Sequence, residues 1–106
     1  MGSEIRAILK DLSIRLKAIY NERLDRLVLY GSQARGDAQS QSDIDVLVVL
    51  HGEVDPGTEI SRTAKDVAAV SLDHDVVVCC LFISTEQYKN EQSPLLLNIR
   101  REGVLV

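Results

Sequence analysis

Two apolar runs, Val46–Leu50 and Val76–Ile83, constrain the fold of this chain more than any other feature. Both are far too short to cross a bilayer. Runs of valine and leucine of this length read as β-strands, expected over 43–50 and 75–83. The second carries three valines in a row, Val76-Val77-Val78, and the first is apolar on both faces after its opening turn. A shorter run, Leu27-Val28-Leu29-Tyr30, is closed by Gly31 and reads as a further strand.

Between and around these runs the period changes. Ile5, Ile8, Leu9, Leu12, Leu16 and Ile19 recur at helical spacing and predict a helix over 3–20. Ser3 is placed to cap it, with Arg6 where a capping box would want Glu. Residues 32–37 predict a short helix at the end of the first strand, and Ala38–Ser42 a polar loop. His51-Gly52 and Asp55-Pro56-Gly57 punctuate the next connection. Thr58 is expected to cap a helix over 59–72, with Ile60, Ala64, Val67, Ala68 and Leu72 on one stripe. Ser84 or Thr85 opens a helix over 85–91. Pro94 suits the first turn of a last helix over 94–102, which Gly103 ends. The first two strands are separated by only a short helix and a loop. That favours an α/β (α+β) fold with a small mixed β-sheet flanked by helices over a regular doubly wound sheet. With 106 residues and neither an internal repeat nor a linker, the chain is expected to form one domain around one core.

Charge narrows the function. Lys plus Arg number 12 and Asp plus Glu 16, a net charge of −4. That argues against general electrostatic binding of nucleic acid, though a nucleotide needs only a local cluster of donors. Glu4, Arg6, Lys10 and Asp11 interrupt any signal-peptide h-region. Cys79 and Cys80 are neighbours on one expected strand, so they point to opposite faces and cannot easily bridge. They read as two buried thiols of a cytoplasmic protein.

The informative stretch is Leu27–Val49, LVLYGSQARGDAQSQSDIDVLVV. A glycine at a strand end lets the backbone approach a ligand closely. Ser32 follows, where backbone N–H groups at a helix start can receive an anion. Arg35 lies near the same place and can pair with phosphate oxygens. Asp43 and Asp45 then share one face of a strand, with Cα atoms roughly 6.5–7 Å apart. Mg²⁺ is typically held by one or two carboxylates plus substrate phosphates, and this layout supplies both. Alone, a Gly-Ser is usually a turn and an Asp-x-Asp a solvated strand end; in this order, with Arg35 between them, they point to one site. His51, His74, Lys65, Asp66, Tyr30 and Tyr88 read as structural or surface residues.

Gly31-Ser32-x-Ala34-Arg35-Gly36, followed by Ser42-Asp43-Ile44-Asp45-Val46, resembles the signature of the DNA polymerase β-like nucleotidyltransferase superfamily. Within it the chain is most similar to minimal nucleotidyltransferases (MNT), the partners of HEPN-domain proteins in prokaryotic toxin–antitoxin pairs. The small size and the ending Ser93-Pro94-Leu95 … Asn98-Ile99-Arg100-Arg101-Glu102-Gly103 support the subfamily. The resemblance implies a polymerase β-like fold for 1–106 and ATP as substrate. Gly31, Ser32 and Arg35 would hold the phosphates. Asp43 and Asp45 would hold two Mg²⁺. It also implies a third carboxylate on the strand after the second helix, where Asp73 and Asp75 both offer themselves. Asp75 abuts Val76-Val77-Val78 and is the expected catalytic and metal-binding residue, while Asp73 fits the preceding turn.

The expected activity is transfer of AMP from ATP to a hydroxyl, a tyrosine of a HEPN-type toxin, with the chain acting as antitoxin by AMPylation. About 20 residues follow the third strand, too few for an acceptor-binding domain, so the acceptor is expected to dock from outside. Leu95-Leu96-Leu97 and Val104-Leu105-Val106 would be covered by that partner or by a second copy in a homo-oligomer. The competing readings are a binding module that masks a toxin without catalysis, and a transferase for a small-molecule hydroxyl.

Overall fold

The computed structural model describes residues 2–36 and 43–106. The expected loop Ala38–Ser42, and Asp37 at the end of the expected short helix, lie outside the described residues. Among the described residues the elements run α1 (Ser3–Tyr20), a 3-10 turn (Asn21–Arg23), β1 (Leu24–Tyr30), α2 (Ser32–Arg35), β2 (Ile44–Leu50), α3 (Pro56–His74), β3 (Val78–Ser84), α4 (Thr85–Asn90), α5 (Pro94–Glu102) and β4 (Val104–Leu105).

The strands form one mixed sheet in the order β3-β2-β1-β4. β2 is antiparallel to β1 and parallel to β3, and α3 makes the long crossover that a parallel pair requires. β2 is therefore flanked on both edges, and Val46 through Leu50 are completely buried. Alternation along the strands divides the core in two. Leu27, Leu29, Ile44, Val46, Val48, Val78 and Phe82 face α1 and α3, while Val28, Leu47, Val49 and Ile83 face Leu96 and Ile99 of α5. α1 covers the first face with Ile8, Leu9, Leu12 and Leu16. Truncating one of these, Leu12→Ala, would cost about 2–5 kcal/mol.

Several expectations change. Gly2, not Ser3, is the cap residue of α1. α3 starts at Pro56 after Asp55, and Thr58 donates its hydroxyl to Asp55 Oδ2 at 2.7 Å instead of capping. The stripe Ile60-Ala64-Val67-Ala68-Leu72 is not the buried face: Ile60 is 55% and Leu72 81% exposed, whereas Glu59, Thr63 and Val70 are buried. The helix can turn this way because the Glu59 carboxylate is fully partnered. Tyr20 donates to it at 2.7 Å, and Arg23 and Arg62 pair with it at 3.3 and 3.1 Å. A second polar seam joins α1 to the C-terminal part of α3. Arg15 pairs with Asp11, Asp66 and Asp73, and His74 Nε2 lies 3.1 Å from Asp11. Asp66, expected on the surface, is thus half-buried in this seam.

Ser84 caps α4 through a reciprocal capping box with Gln87, and Pro94 takes the first turn of α5. No described helix is long and apolar enough to cross a membrane.

Candidate functional site

The end of β1, the start of β2 and the start of β3 meet at one end of the sheet. Tyr30 closes β1 and pairs with Asp45, the second residue of β2. Gly31 follows with φ 76° and ψ −156°, a region open essentially to glycine alone. The close approach is as demanding as the dihedral: a Cβ on Gly31 would stand 2.6 Å from Asp45 Oδ2. The bare backbone at the strand end and the Asp45 carboxylate are in direct contact, which explains why glycine stands there.

Ile44 is fully buried, so Asp43 and Asp45, on either side of it, face away from the α1/α3 core. Asp43 is exposed and Asp45 half-buried. Burial raises the Asp45 pKa above the ordinary carboxyl value, and the neighbouring Asp43 charge raises it further. These are hard oxygen donors on one face of a strand. With phosphate oxygens and water they suit one divalent cation such as Mg²⁺.

α2 begins directly after Gly31, whose carbonyl accepts from the amides of Ala34 and Arg35 at 3.2 Å. This holds Ser32 at the turn and carries Arg35 toward α5, where its guanidinium lies 3.9 Å from Glu102. Tyr30, Gly31, Arg35, Leu95, Asn98, Ile99 and Glu102 line a cleft of about 240 Å³ beside the Gly31–Asp45 contact. Tyr30 therefore does more than fill the core. Half-buried against the second cluster, it also borders the cleft, and burial followed by the Asp45 charge raises its hydroxyl pKa.

Gly31, Ser32, Arg35, Asp43 and Asp45 are thus brought to one end of the sheet. Asp75 is not with them. It is the C-cap of α3, in the left-handed conformation (φ 51°, ψ 52°), and Val76 and Val77 separate it from β3. Asp73 is on α3 and pairs with Arg15 at 3.8 Å. The residue of β3 in register with Asp45 is Cys79. It is exposed, against the expectation of two buried thiols; Cys80, on the opposite face, is half-buried. Burial raises the Cys79 thiol pKa, and the Asp43 and Asp45 charges raise it further. Sequence reading missed Cys79 because an unbroken apolar run does not reveal its register. Among the described residues, no group of three or more His, Cys, Asp or Glu is arranged to hold a metal ion. A thiol is a poor ligand for Mg²⁺, so the donor set fits one hard cation at Asp43 and Asp45 and offers no third carboxylate from β3.

His51 and His74 are away from this site, as expected. His74 belongs to the α1–α3 seam, and His51 Nδ1 is 3.3 Å from the Thr85 hydroxyl at the other end of β2.

Known proteins resemble this chain in sequence and in fold. A "putative protein adenylyltransferase" of Methanocaldococcus jannaschii is 35% identical over 75 residues, covering 71% of this chain and 75% of that protein. Two solved structures share the fold. A "putative minimal nucleotidyltransferase" aligns with TM-score 0.60 and 21% identity, covering 99% of this chain and 100% of its own. A crystal structure of a toxin–antitoxin with AMP-PNP aligns with TM-score 0.62 and 18% identity, covering 91% of this chain and 70% of its own. The profile of the nucleotidyltransferase domain matches residues 4–103 and so takes in Gly31, the Asp43/Asp45 pair and the sheet that joins them. The chain therefore belongs to the nucleotidyltransferase domain family and is a nucleotidyltransferase.

Proposed function

We propose that residues 1–106 work as one minimal domain that transfers AMP from ATP to a hydroxyl of a partner protein, a tyrosine of a HEPN-type toxin, and so acts as its antitoxin. The observation that carries this reading is the contact between Gly31 and Asp45, with Asp43 on the same strand face. A triphosphate laid along Gly31 and Ser32 would bring its phosphate oxygens to those two carboxylates, with Arg35 as a counter-charge. Mg²⁺ at Asp43 and Asp45 would neutralise phosphate charge and draw electron density from the reacting phosphorus. The acceptor oxygen bonds to the α-phosphorus, the bond to the bridging oxygen breaks, pyrophosphate leaves and the hydroxyl proton is released.

Three further observations favour a protein acceptor. The Methanocaldococcus jannaschii relative carries the name "putative protein adenylyltransferase", and a structural neighbour is a toxin–antitoxin with AMP-PNP. Leu95, Leu97, Leu105 and Val106 are also between 43% and 68% exposed, Leu105 and Val106 beside Ile14 of α1, apolar side chains that a partner would cover. The test is intact-mass spectrometry of a HEPN-type toxin after incubation with the pure protein, ATP and Mg²⁺. Addition of AMP to the toxin, mapped to a tyrosine, is the expected result. Neutralisation of the toxin without any mass change would overturn transfer in favour of masking. Labelling of a metabolite alone would overturn the protein acceptor.

A further inference from the structure

Building on the nucleotide site proposed above, we infer that Cys79 occupies the position from which β3 would otherwise supply a carboxylate to a second divalent cation, so that this protein binds its triphosphate with one hard cation, not two.

The inference rests on register and chemistry. β2 and β3 are parallel and pair from Ile44↔Val78 through Leu50↔Ser84 without a shift. Residues in register on adjacent strands point to the same side of the sheet, so the Cys79 side chain stands on the Asp45 face, next to it across the pair. Val78, its neighbour, faces the α1/α3 core, as Ile44 does. No other position of β3 is in register with Asp45.

Asp43 and Asp45 provide carboxylate oxygens on one strand. A pair of cations about 3.5–4 Å apart, one on each side of a reacting phosphorus, needs hard ligands on both sides of the pair. On the β3 side this protein presents sulfur. Mg²⁺ and Mn²⁺ take carboxylate, carbonyl and water oxygens, and thiols select softer metals. The nearest carboxylates along the chain do not replace it. Asp75 caps α3 before β3 begins, and Asp73, largely exposed, lies on α3 at 3.8 Å from Arg15.

Cation counting tests this directly. Mn²⁺ replaces Mg²⁺ as a paramagnetic probe, and the full chain is titrated by electron paramagnetic resonance with a non-hydrolysable ATP analogue. The wild type is expected to bind one Mn²⁺ per chain–nucleotide complex with an uncoupled spectrum. Cys79→Asp is expected to bind two, with the spin coupling of adjacent ions, and Cys79→Ser to stay at one. Two coupled Mn²⁺ in the wild type would overturn the inference while leaving the nucleotide site intact, and this count needs no variant to fold. A folded Cys79→Asp that still binds one would also overturn it. No protein-dependent Mn²⁺–nucleotide binding in the wild type would overturn the nucleotide site itself, and the one-cation inference with it.

Discussion

Gly31→Ala isolates the contact on which the site is built. Two costs add. The first is conformational: at φ 76° and ψ −156° an alanine carries backbone strain of about 1–3 kcal/mol. The second is steric, since the new Cβ would meet Asp45 Oδ2 at 2.6 Å and Asp45 Cγ at 3.5 Å. Asp45 cannot retreat with its strand, because its backbone is paired to Tyr30 on one side and Cys79 on the other. Its side chain must leave its place, at an overpacking cost of about 1–3 kcal/mol. The sum, about 2–6 kcal/mol, is a large part of the 5–15 kcal/mol or so that holds a typical domain together. Thermal unfolding should show a fall in Tm of at least about 8 °C, and urea unfolding a lower midpoint. The Asp45→Ala background separates the two costs. Alanine there keeps a Cβ at an ordinary 3.6 Å and deletes the oxygen and Cγ. Gly31→Ala should then cost only the strain, about 1–3 kcal/mol. Equal costs in both backgrounds would refute the contact. A cost below about 0.5 kcal/mol in the wild-type background would refute strain and contact together.

Asp45→Asn should stabilise the metal-free protein increasingly as pH rises. The folded pKa of Asp45 lies above its ordinary value of 3.8, so between the two the folded state holds the extra proton, and wild-type stability falls as pH climbs through that window. A gap between variant and wild type in urea midpoints that stays constant with pH would contradict this. Mg²⁺-ATP at about 100 times its dissociation constant should stabilise the wild type by about 2.7 kcal/mol. That shift should disappear in Asp43→Asn and persist in Asp75→Ala; scanning fluorimetry reads both, and a lost shift in Asp75→Ala would return that residue to the site. Ser84→Ala removes the α4 capping box and should cost about 1 kcal/mol in chemical denaturation, without altering nucleotide binding.

What could be read in advance followed from local chemistry. α1 announced itself by its stripe, α4 by Ser84, α5 by Pro94, and the site by Gly31 and the Asp43/Asp45 pair, because each depends on a residue type that few conformations can use. Features made by tertiary contacts were not legible. β1 begins at Leu24, earlier than the apolar run suggests, because Leu24 pairs with Leu50 across a register shift; Asp25 there accepts from Thr85 at 2.7 Å and Arg26 lies over the Tyr88 ring. β4 is two residues long and exists only through pairing with Val28 and Leu29. Gly103 ends α5 as expected, yet with φ −66° it does not use a left-handed cap. Glycine is needed there because a Cβ would lie 2.5 Å from both Ile99 O and Val28 Cγ1. Likewise the buried Glu59 is readable only once Tyr20, Arg23 and Arg62 are known to converge on it.

The phase of β3 beside the candidate site was not legible for a more general reason. An alternating strand states which residues face a given side, but Val76–Ile83 is apolar at every position and so carries no phase. A register one residue different would place Val78 or Cys80 beside Asp45 and exchange the residues given to the two cores. Proximity in sequence then suggested Asp75, the carboxylate at the head of the run. The phase is set instead by the α3 exit. Asp75 adopts the left-handed cap, Val76 N donates back to Ser71 O at 3.0 Å, and Val77 O accepts from Ile44 N at 2.9 Å. These bonds spend Asp75 and Val76 on closing the helix and start the sheet pairing at Val77, two residues before Cys79. A charged or polar residue on one face of the run would have disclosed that phase. The cysteines give no such signal, because thiols are compatible with core and surface alike.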